Sequence, residues 1–216
     1  MKELLADKKH VIWDWNGTLL DDLDLTIETN NFVLKQEGME PVSKEFYLNH
    51  FRFPVKEYYR ILGFEVDNAQ AFDKFCDQFV NYYLSQLDRC QVHRFMRDIL
   101  DGIKEAGEKK QSVLSAADQK SLNLMISRFG LTDHFVHIYG IADRQGGSKI
   151  QRGHELLSQL LSEGDIKRSD LVMIGDTVHD WEVAGEMGID SILVSHGHNN
   201  AERLLEVNKN LYTYSR

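Results

Sequence analysis

The sequence has few cysteines and prolines, and it lacks a long apolar run. Cys76 and Cys90 have no metal-like spacing, so they argue against a disulfide framework and suit a reducing compartment. Pro41 and Pro54 are the only prolines, which argues against a proline-rich linker. No stretch approaches membrane-spanning length, and residues 1–10 lack the apolar core of a signal peptide. We therefore expect a cytoplasmic protein with no membrane partner.

An excess of basic residues is also missing. Lys and Arg total 25 against 34 Asp and Glu, so the net charge is -9. A nucleic-acid surface normally needs clustered Lys and Arg, and we expect no nucleic-acid partner. A small anionic substrate is compatible with this charge, because it needs only a local positive group or a bound cation.

Two kinds of pattern divide the chain. Residues 20–88 show only helical spacing, with no strand candidate. From Val92, which belongs to the first helical stripe, helices alternate with short apolar strands. The expected strands are 112–116, 136–142, 170–175, 191–194 and 211–214. This alternation predicts an α/β fold with a doubly wound, Rossmann-like parallel sheet. Residues 1–19 and 89–216 would form the core domain, and 20–88 a small all-helical cap domain inserted after the first strand.

The stretch from Val11 to Leu19 predicts one side of a site. An apolar run leads into Asp14, and Gly17 follows, where the missing Cβ lets the backbone approach a ligand. Ligands of open parallel sheets lie beyond the carboxyl ends of the strands, so Asp14 would face the site. Taken alone, Asp-x-Asn-Gly is usually a plain turn.

A second apolar run ends at Gly175 and leads into Asp176, with Asp180 four residues later at the start of a predicted helix. If the two strands are neighbours, both carboxylates meet Asp14 at one rim of the sheet. Three such carboxylates repel one another unless a cation compensates, and Mg²⁺ is the economical choice beside phosphate. Alternatively, Asp180 is only a helix-start carboxylate favoured by the helix dipole.

Two side chains between these motifs could hold an anion. Ser115 ends a predicted strand, where its hydroxyl and the following amide could hold a phosphate oxygen, although a lone serine more often begins a turn. Lys149 follows Gly146-Gly147-Ser148 at a helix start, where the dipole disfavours a cation, so a compensating anion is expected. The alternative is an exposed surface lysine.

Four motifs thus stand in one order and spacing: Asp14-Trp15-Asn16-Gly17-Thr18, Ser115, Lys149, and Gly175-Asp176 with Asp180. In them the chain resembles the haloacid dehalogenase-like phosphohydrolases, most closely the phosphoglycolate phosphatase-like group. The likeness covers nearly the whole chain, since residues 20–88 are similar to the small cap of that family. It implies a Mg²⁺-dependent phosphatase for a small phosphorylated metabolite, either a phosphoglycolate-like phosphomonoester or an acyl phosphate.

The resemblance also implies roles around the metal. Asp14 would attack phosphorus and form an aspartyl-phosphate that water then hydrolyses. Mg²⁺ would be held by Asp14, Asp176 and the backbone carbonyl of Asn16. Asp180 would complete this site by orienting a metal-bound water, or would pair with Lys149.

The resemblance also implies which residues bind the substrate. The oxygens of the transferring phosphoryl group would be bound by Lys149, by the Ser115 hydroxyl and by nearby backbone amides. Trp15 and Ala116 would belong to the same set of substrate-binding residues. Arg52 lies in a break between cap helices and could pair with a substrate carboxylate or a second phosphate. It is equally typical of an exposed loop arginine.

Other features have plainer interpretations. Lys56 is a weaker alternative to Arg52. His196 and His198 resemble a metal pair but lack a third ligand. The aromatic helix over 72–83 is typical of cap core, although it could also bury a partner copy, so a monomer and a homodimer are both compatible with the sequence.

One departure from the family pattern affects the mechanism. The family usually has a second aspartate two residues after the nucleophile, which protonates the leaving alcohol, and this chain has Asn16. An amide cannot transfer the proton, and such help is worth about 10²–10⁴-fold in rate. The enzyme could use a good leaving group or take the proton from another residue. The domain could instead be a slow enzyme or a phospholigand-binding or regulatory module, or Asn16 could be an engineered replacement.

Dehalogenation is the competing enzyme class, with the same aspartate nucleophile attacking carbon without a metal. The pair Asp176 and Asp180 favours the metal-dependent phosphatase.

Overall fold

Short apolar segments form the main strands of this chain, because both faces of a parallel sheet are buried. The computed structural model describes residues 1, 3–141 and 148–213. All residues in the first strand and in the sixth are buried. The strands are β1 His10–Trp13, β2 Leu20–Asp21, β3 Gln91–Val92, β4 Lys110–Asp118, β5 His137–Ile141, β6 Leu171–Gly175, β7 Asp190–Val194 and β8 Leu211–Tyr212.

A six-stranded parallel sheet with the order β5-β4-β1-β6-β7-β8 places β1 and β6 side by side. Trp13 pairs with Ile174, and the Asp14 N–H donates to the Ile174 carbonyl at 2.8 Å. The carboxyl ends of β1 and β6 are therefore neighbours, and the predicted doubly wound sheet is confirmed. The ends of two predicted strands, Ala142 and Tyr214, lie outside the described residues.

The helices of the described residues are α1 Leu23–Gln36, α2 Lys44–His50, α3 Val55–Ile61, α4 Ala69–Ser85, α5 Arg94–Ala106, α6 Gln119–Arg128, α7 Lys149–Ser162, α8 Val178–Met187 and α9 Ala201–Val207. Four of them, α5 to α8, cover the two faces of the sheet. Short 3-10 helices lie at Glu3–Leu5, Leu87–Arg89, Thr132–His134 and Arg168–Asp170. Helices α5 and α6 pack against Val11 and Trp13, whereas α7 and α8 pack against Ile12, because successive strand residues face opposite layers. Over the described residues, every helix is too short or too polar to cross a lipid bilayer.

Helices α1 to α4 enclose a separate apolar cluster. Tyr47 of α2, Tyr58 of α3 and Phe75 of α4 are almost fully buried in it. Phe72 lies in the same cluster, as expected for cap core, whereas Tyr83 at the end of α4 packs with the core of the sheet. The helical block therefore has a core of its own, and it contacts the core of the sheet through Leu25 of α1 and Tyr83 of α4.

The prediction of helix alone over 20–88 was wrong at its edge. Leu20 pairs with Val92, so that β2 and β3 form a two-stranded antiparallel ribbon, and Val92 lies in a strand rather than in α5. Each strand has only two residues, which is too short to show an alternating pattern, and the partners are far apart in sequence. The two strands of this ribbon lie where the predicted cap begins and just after it ends in the sequence. The domain bounds themselves stay a prediction.

Candidate active site

Three aspartates converge at the carboxyl edge of the sheet. Asp14 follows β1, Asp176 follows β6, and Asp180 lies in the first turn of α8. All three are buried, and one carboxylate oxygen of each lies within 4.8 Å of those of the other two. The sequence therefore predicted correctly that these carboxylates meet.

Thr18 joins two of these carboxylates. Its hydroxyl lies 2.7 Å from Asp176 Oδ1 and 3.3 Å from Asp14 Oδ2, and the residue is fully buried. The turn at Gly17, with a φ of 74°, brings the backbone so close that a Cβ there would lie 2.4 Å from Asp176 Oδ2. Thr18 lies within the first motif, but its hydrogen bond to Asp176 depends on the position of β6, which the sequence around Thr18 does not indicate.

Lys149 offsets the negative charges of Asp14 and Asp180. Its ammonium group contacts Asp14 Oδ1 and lies 2.5 Å from Asp180 Oδ1. The expected anion at this helix start is thus supplied by the protein, and the alternative of an exposed lysine was wrong because the residue is buried. Asp180 also accepts from the Thr177 N–H at 2.9 Å, so it caps α8 and pairs with Lys149 at once.

Burial sets the charges in this cluster. Desolvation, with Asp180 and Asp176 nearby, raises the pKa of Asp14 well above its usual value despite the opposing effect of Lys149. Desolvation likewise raises the pKa of Asp176. The pKa of Asp180 is lowered because its ion pair with Lys149 outweighs desolvation, and the pKa of Lys149 is raised because Asp14 and Asp180 outweigh desolvation there. The cluster favours additional positive charge.

The donor set fits a hard divalent cation. Carboxylate oxygens are the ligands that Mg²⁺ prefers, and three of them converge here around one ammonium group. Glycines keep the space beside Asp176 open: a Cβ on Gly197 would lie 2.1 Å from its Oδ2. Within the part of the chain that the structure describes, the cluster that could hold a metal ion consists of these aspartates and includes neither His196 nor His198.

Ser115 and Ala116 line the same cavity as Asp14 and Lys149. Ser115 does not end its strand as predicted, because β4 continues to Asp118 through an irregularity in its pairing with β5. Its hydroxyl accepts from the Ala117 N–H at 3.1 Å. The predicted phosphate-binding hydroxyl thus lines the same cavity as Asp14, and its role stays a prediction.

Two residues of the predicted substrate side lie elsewhere. The Trp15 side chain is fully buried in the core of the sheet, so any contact with substrate would fall to its backbone. Arg52 is exposed, and its Nε donates to the His50 carbonyl at 3.1 Å. Lys56, not Arg52, is among the described residues that line the cavity.

A fourth carboxylate, that of Asp22, was not predicted as part of the site. Four side chains and one backbone amide donate to it, from Asn16 at 2.8 Å, Gly17 N–H at 2.8 Å, Thr26 at 3.2 Å, Tyr83 at 2.6 Å and His198 at 3.2 Å. Burial alone would raise the pKa of Asp22, but the charge of His198 and the hydrogen bonds from His198, Tyr83 and Asn16 lower it. Asp22 in turn raises the pKa of the buried His198 to about 9, against desolvation. A buried ion pair therefore lies beside Asn16.

The doubly wound sheet, the helical insertion and a buried cluster of carboxylates paired with lysine are the arrangement of an α/β enzyme with its site at the carboxyl edge. The family model for haloacid dehalogenase-like hydrolases matches residues 11–194, and the chain belongs to this family.

Relatives agree with this assignment. The chain is 27% identical over 200 residues to a phosphoglycolate phosphatase of Caulobacter vibrioides, covering 87% of this chain and 79% of that one. It is 24% identical over 213 residues to the tyrosine-protein kinase PtkA of Mycobacterium tuberculosis, covering 95% and 68%. A crystal structure of a predicted phosphatase from Clostridium acetobutylicum has the same fold, with a TM-score of 0.80, 22% identity and coverage of 96% and 94%.

Proposed function

We propose that this chain is a Mg²⁺-dependent phosphatase that removes phosphate from a small phosphorylated metabolite, with Asp14 as the nucleophile. The observation that carries the proposal is the buried contact of Asp14 with Lys149 and Thr18 at the floor of a cavity that Ser115 also lines. This arrangement holds a carboxylate oxygen in place where a phosphate could approach it.

Each residue of the site would have a separate role in this reaction. An oxygen of Asp14 would attack phosphorus as the bond to the leaving oxygen breaks, and water would then hydrolyse the aspartyl-phosphate. Lys149, the Ser115 hydroxyl and the Ala116 amide would hold the transferring oxygens. Thr18 fixes Asp176 by its hydrogen bond of 2.7 Å. When bound by Asp14, Asp176, Asp180 and the Asn16 carbonyl, Mg²⁺ would supply positive charge between nucleophile and phosphate.

Turnover of p-nitrophenyl phosphate tests the proposal. We expect activity that EDTA removes and Mg²⁺ restores. Asp14→Asn should abolish it while far-UV circular dichroism and the melting transition keep their native form. Full activity in Asp14→Asn would show that the nucleophile is wrong. Activity unaffected by EDTA, or release of halide from a 2-haloacid in place of phosphate hydrolysis, would favour the dehalogenase.

A catalytically weak phospholigand-binding or regulatory domain is the second candidate. It is favoured by the Asn16 amide, which is held by Asp22 and Tyr83 at 2.8 and 3.0 Å. Background turnover that stays at background after restoring a carboxylate at position 16, together with saturable binding of inorganic phosphate, would favour this candidate. Cytoplasmic location and a monomeric or homodimeric state stay predictions.

A further inference from the structure

We infer that the substrate is an aryl phosphate, a phosphate ester of a phenolic hydroxyl whose ring lies against the aromatic side chains of the cap. The inference rests on the proposed phosphatase function and names the substrate class for that site. Two independent observations support it: the size and lining of the cavity, and the amide in place of a proton donor.

The cavity above Asp14 is far larger than a phosphate group needs. It has a volume of about 910 Å³ and runs from the carboxylate cluster into the cap. Cavities of this size hold ligands with several rings or a comparable organic group. The reacting phosphate would occupy only the floor, so most of the space belongs to the leaving group.

Aromatic side chains form the cap wall of this cavity. Those that line it include Tyr47, Phe51, Phe53, Phe72, Phe79 and Tyr83. Phe53 is half-buried and stacks on His179 of α8 with ring centroids 4.8 Å apart, so it stands where the cap meets the sheet. Such walls bind an aromatic group by stacking and edge contacts.

Among the described residues, the cap wall offers one cationic side chain to a second anionic group of a substrate. Among the described lining residues, Lys56 is the cap's ammonium group, and it lies 5.2 Å from the centre of the Phe72 ring in a cation–π contact. Arg52 is exposed and bonded to the His50 carbonyl. A phosphate ester carrying a carboxylate, such as phosphoglycolate, would leave the aromatic wall without a partner.

The chemistry at Asn16 favours the same class. Its amide cannot protonate a departing oxygen, and the nearby Asp22 carboxylate is already occupied by donors from Asn16 and Tyr83. A phenol ionises near a pKa of about 10, whereas aliphatic alcohols are far weaker acids, comparable with water at about 15.7. A phenolate therefore leaves without proton transfer, and an alkoxide does not.

The step balances without an acid. An Asp14 oxygen forms its bond to phosphorus while the bond from phosphorus to the phenolic oxygen breaks, and the electron pair leaves on the phenolate, which takes a proton from solvent. Water then attacks phosphorus, the aspartyl bond breaks, and inorganic phosphate and the Asp14 carboxylate are released.

Matched esters test the inference on the wild-type protein with Mg²⁺. Phenyl phosphate and benzyl phosphate both carry a ring, but only phenyl phosphate has a phenolic leaving group. We expect kcat/KM for phenyl phosphate to exceed that for benzyl phosphate by about 10²–10⁴-fold. We expect benzyl phosphate to exceed 2-phosphoglycolate, which lacks the ring.

The cap contribution is tested by Phe53→Ala. This variant should raise KM for phenyl phosphate about 3- to 10-fold, with the inhibition constant of inorganic phosphate unchanged because phosphate has no ring. Phe46→Ala is the matched control, since Phe46 is a half-buried cap residue outside the cavity lining. Equal effects of the two variants would overturn the ring contact.

The outcomes separate the two proposals. Hydrolysis of 2-phosphoglycolate or benzyl phosphate as efficient as that of phenyl phosphate would overturn the aryl phosphate inference and leave the phosphatase standing. Absence of Mg²⁺-dependent hydrolysis with every ester would overturn the phosphatase, and the inference with it.

Discussion

The side-chain amide of Asn16 donates a hydrogen bond to the carboxylate of Asp22 at 2.8 Å. The same carboxylate accepts from the Gly17 N–H, from Tyr83 at the end of the last cap helix and from His198 in the loop after β7. One buried carboxylate thus connects the turn after β1, the cap and the core. The amide at position 16 is matched to this acceptor, since a carboxylate there would face a second carboxylate.

Asn16→Asp should therefore destabilise the protein. It replaces a donor by a second negative charge 2.8 Å from Asp22, and we expect the free energy of unfolding to fall by about 1–3 kcal/mol. Urea denaturation of the wild type and the variant measures this. A variant as stable as the wild type would contradict the pairing.

Lys149→Met should lower stability and increase the response to Mg²⁺. The substitution leaves Asp14 and Asp180 buried without their partner, which typically lowers the free energy of unfolding by about 3–5 kcal/mol. A divalent cation would then be the remaining compensation, so adding MgCl₂ should raise the melting temperature more in the variant than in the wild type. A smaller Mg²⁺ response in the variant would show that Lys149 does not compete with a cation for these carboxylates.

Mg²⁺ binding itself can be measured without turnover. A ligand that binds only the folded state stabilises it by about 2.7 kcal/mol at 100 times its dissociation constant, so MgCl₂ should raise the melting temperature of the wild type. Asp176→Asn replaces one carboxylate oxygen of the cluster by an amide nitrogen and removes the negative charge, so it should abolish this rise. Asp73→Asn is the control, because Asp73 lines the same cavity from α4, outside the cluster. A response retained in Asp176→Asn would place the cation elsewhere, and loss of the response in both variants would show that it does not depend specifically on the cluster.

The sequence predicted those parts of the site whose position follows from the end of a strand. Asp14 and Asp176 each follow an apolar run, and parallel neighbours bring such residues together without further information. The contact of His198 with Asp22 joins residues 176 positions apart and has no periodic signal. Whether Arg52 lines the cavity depends on how an irregular segment turns between two helices, which spacing alone does not determine.

His10 should make the protein less stable in acid. It begins β1, is fully buried, and its Nε2 lies 2.8 Å from the Ser112 hydroxyl. Desolvation lowers its pKa from 6.5 to about 4, so between these values the unfolded chain binds a proton that the folded protein does not. Stability is therefore lost as the pH falls from 6.5 towards 4, by about 3 kcal/mol in all. His10→Gln keeps a polar partner for Ser112 without this titration, so the free energy of unfolding should depend less steeply on pH over that range. Chemical denaturation at several pH values compares the two slopes, and equal slopes would show that the buried imidazole is not responsible.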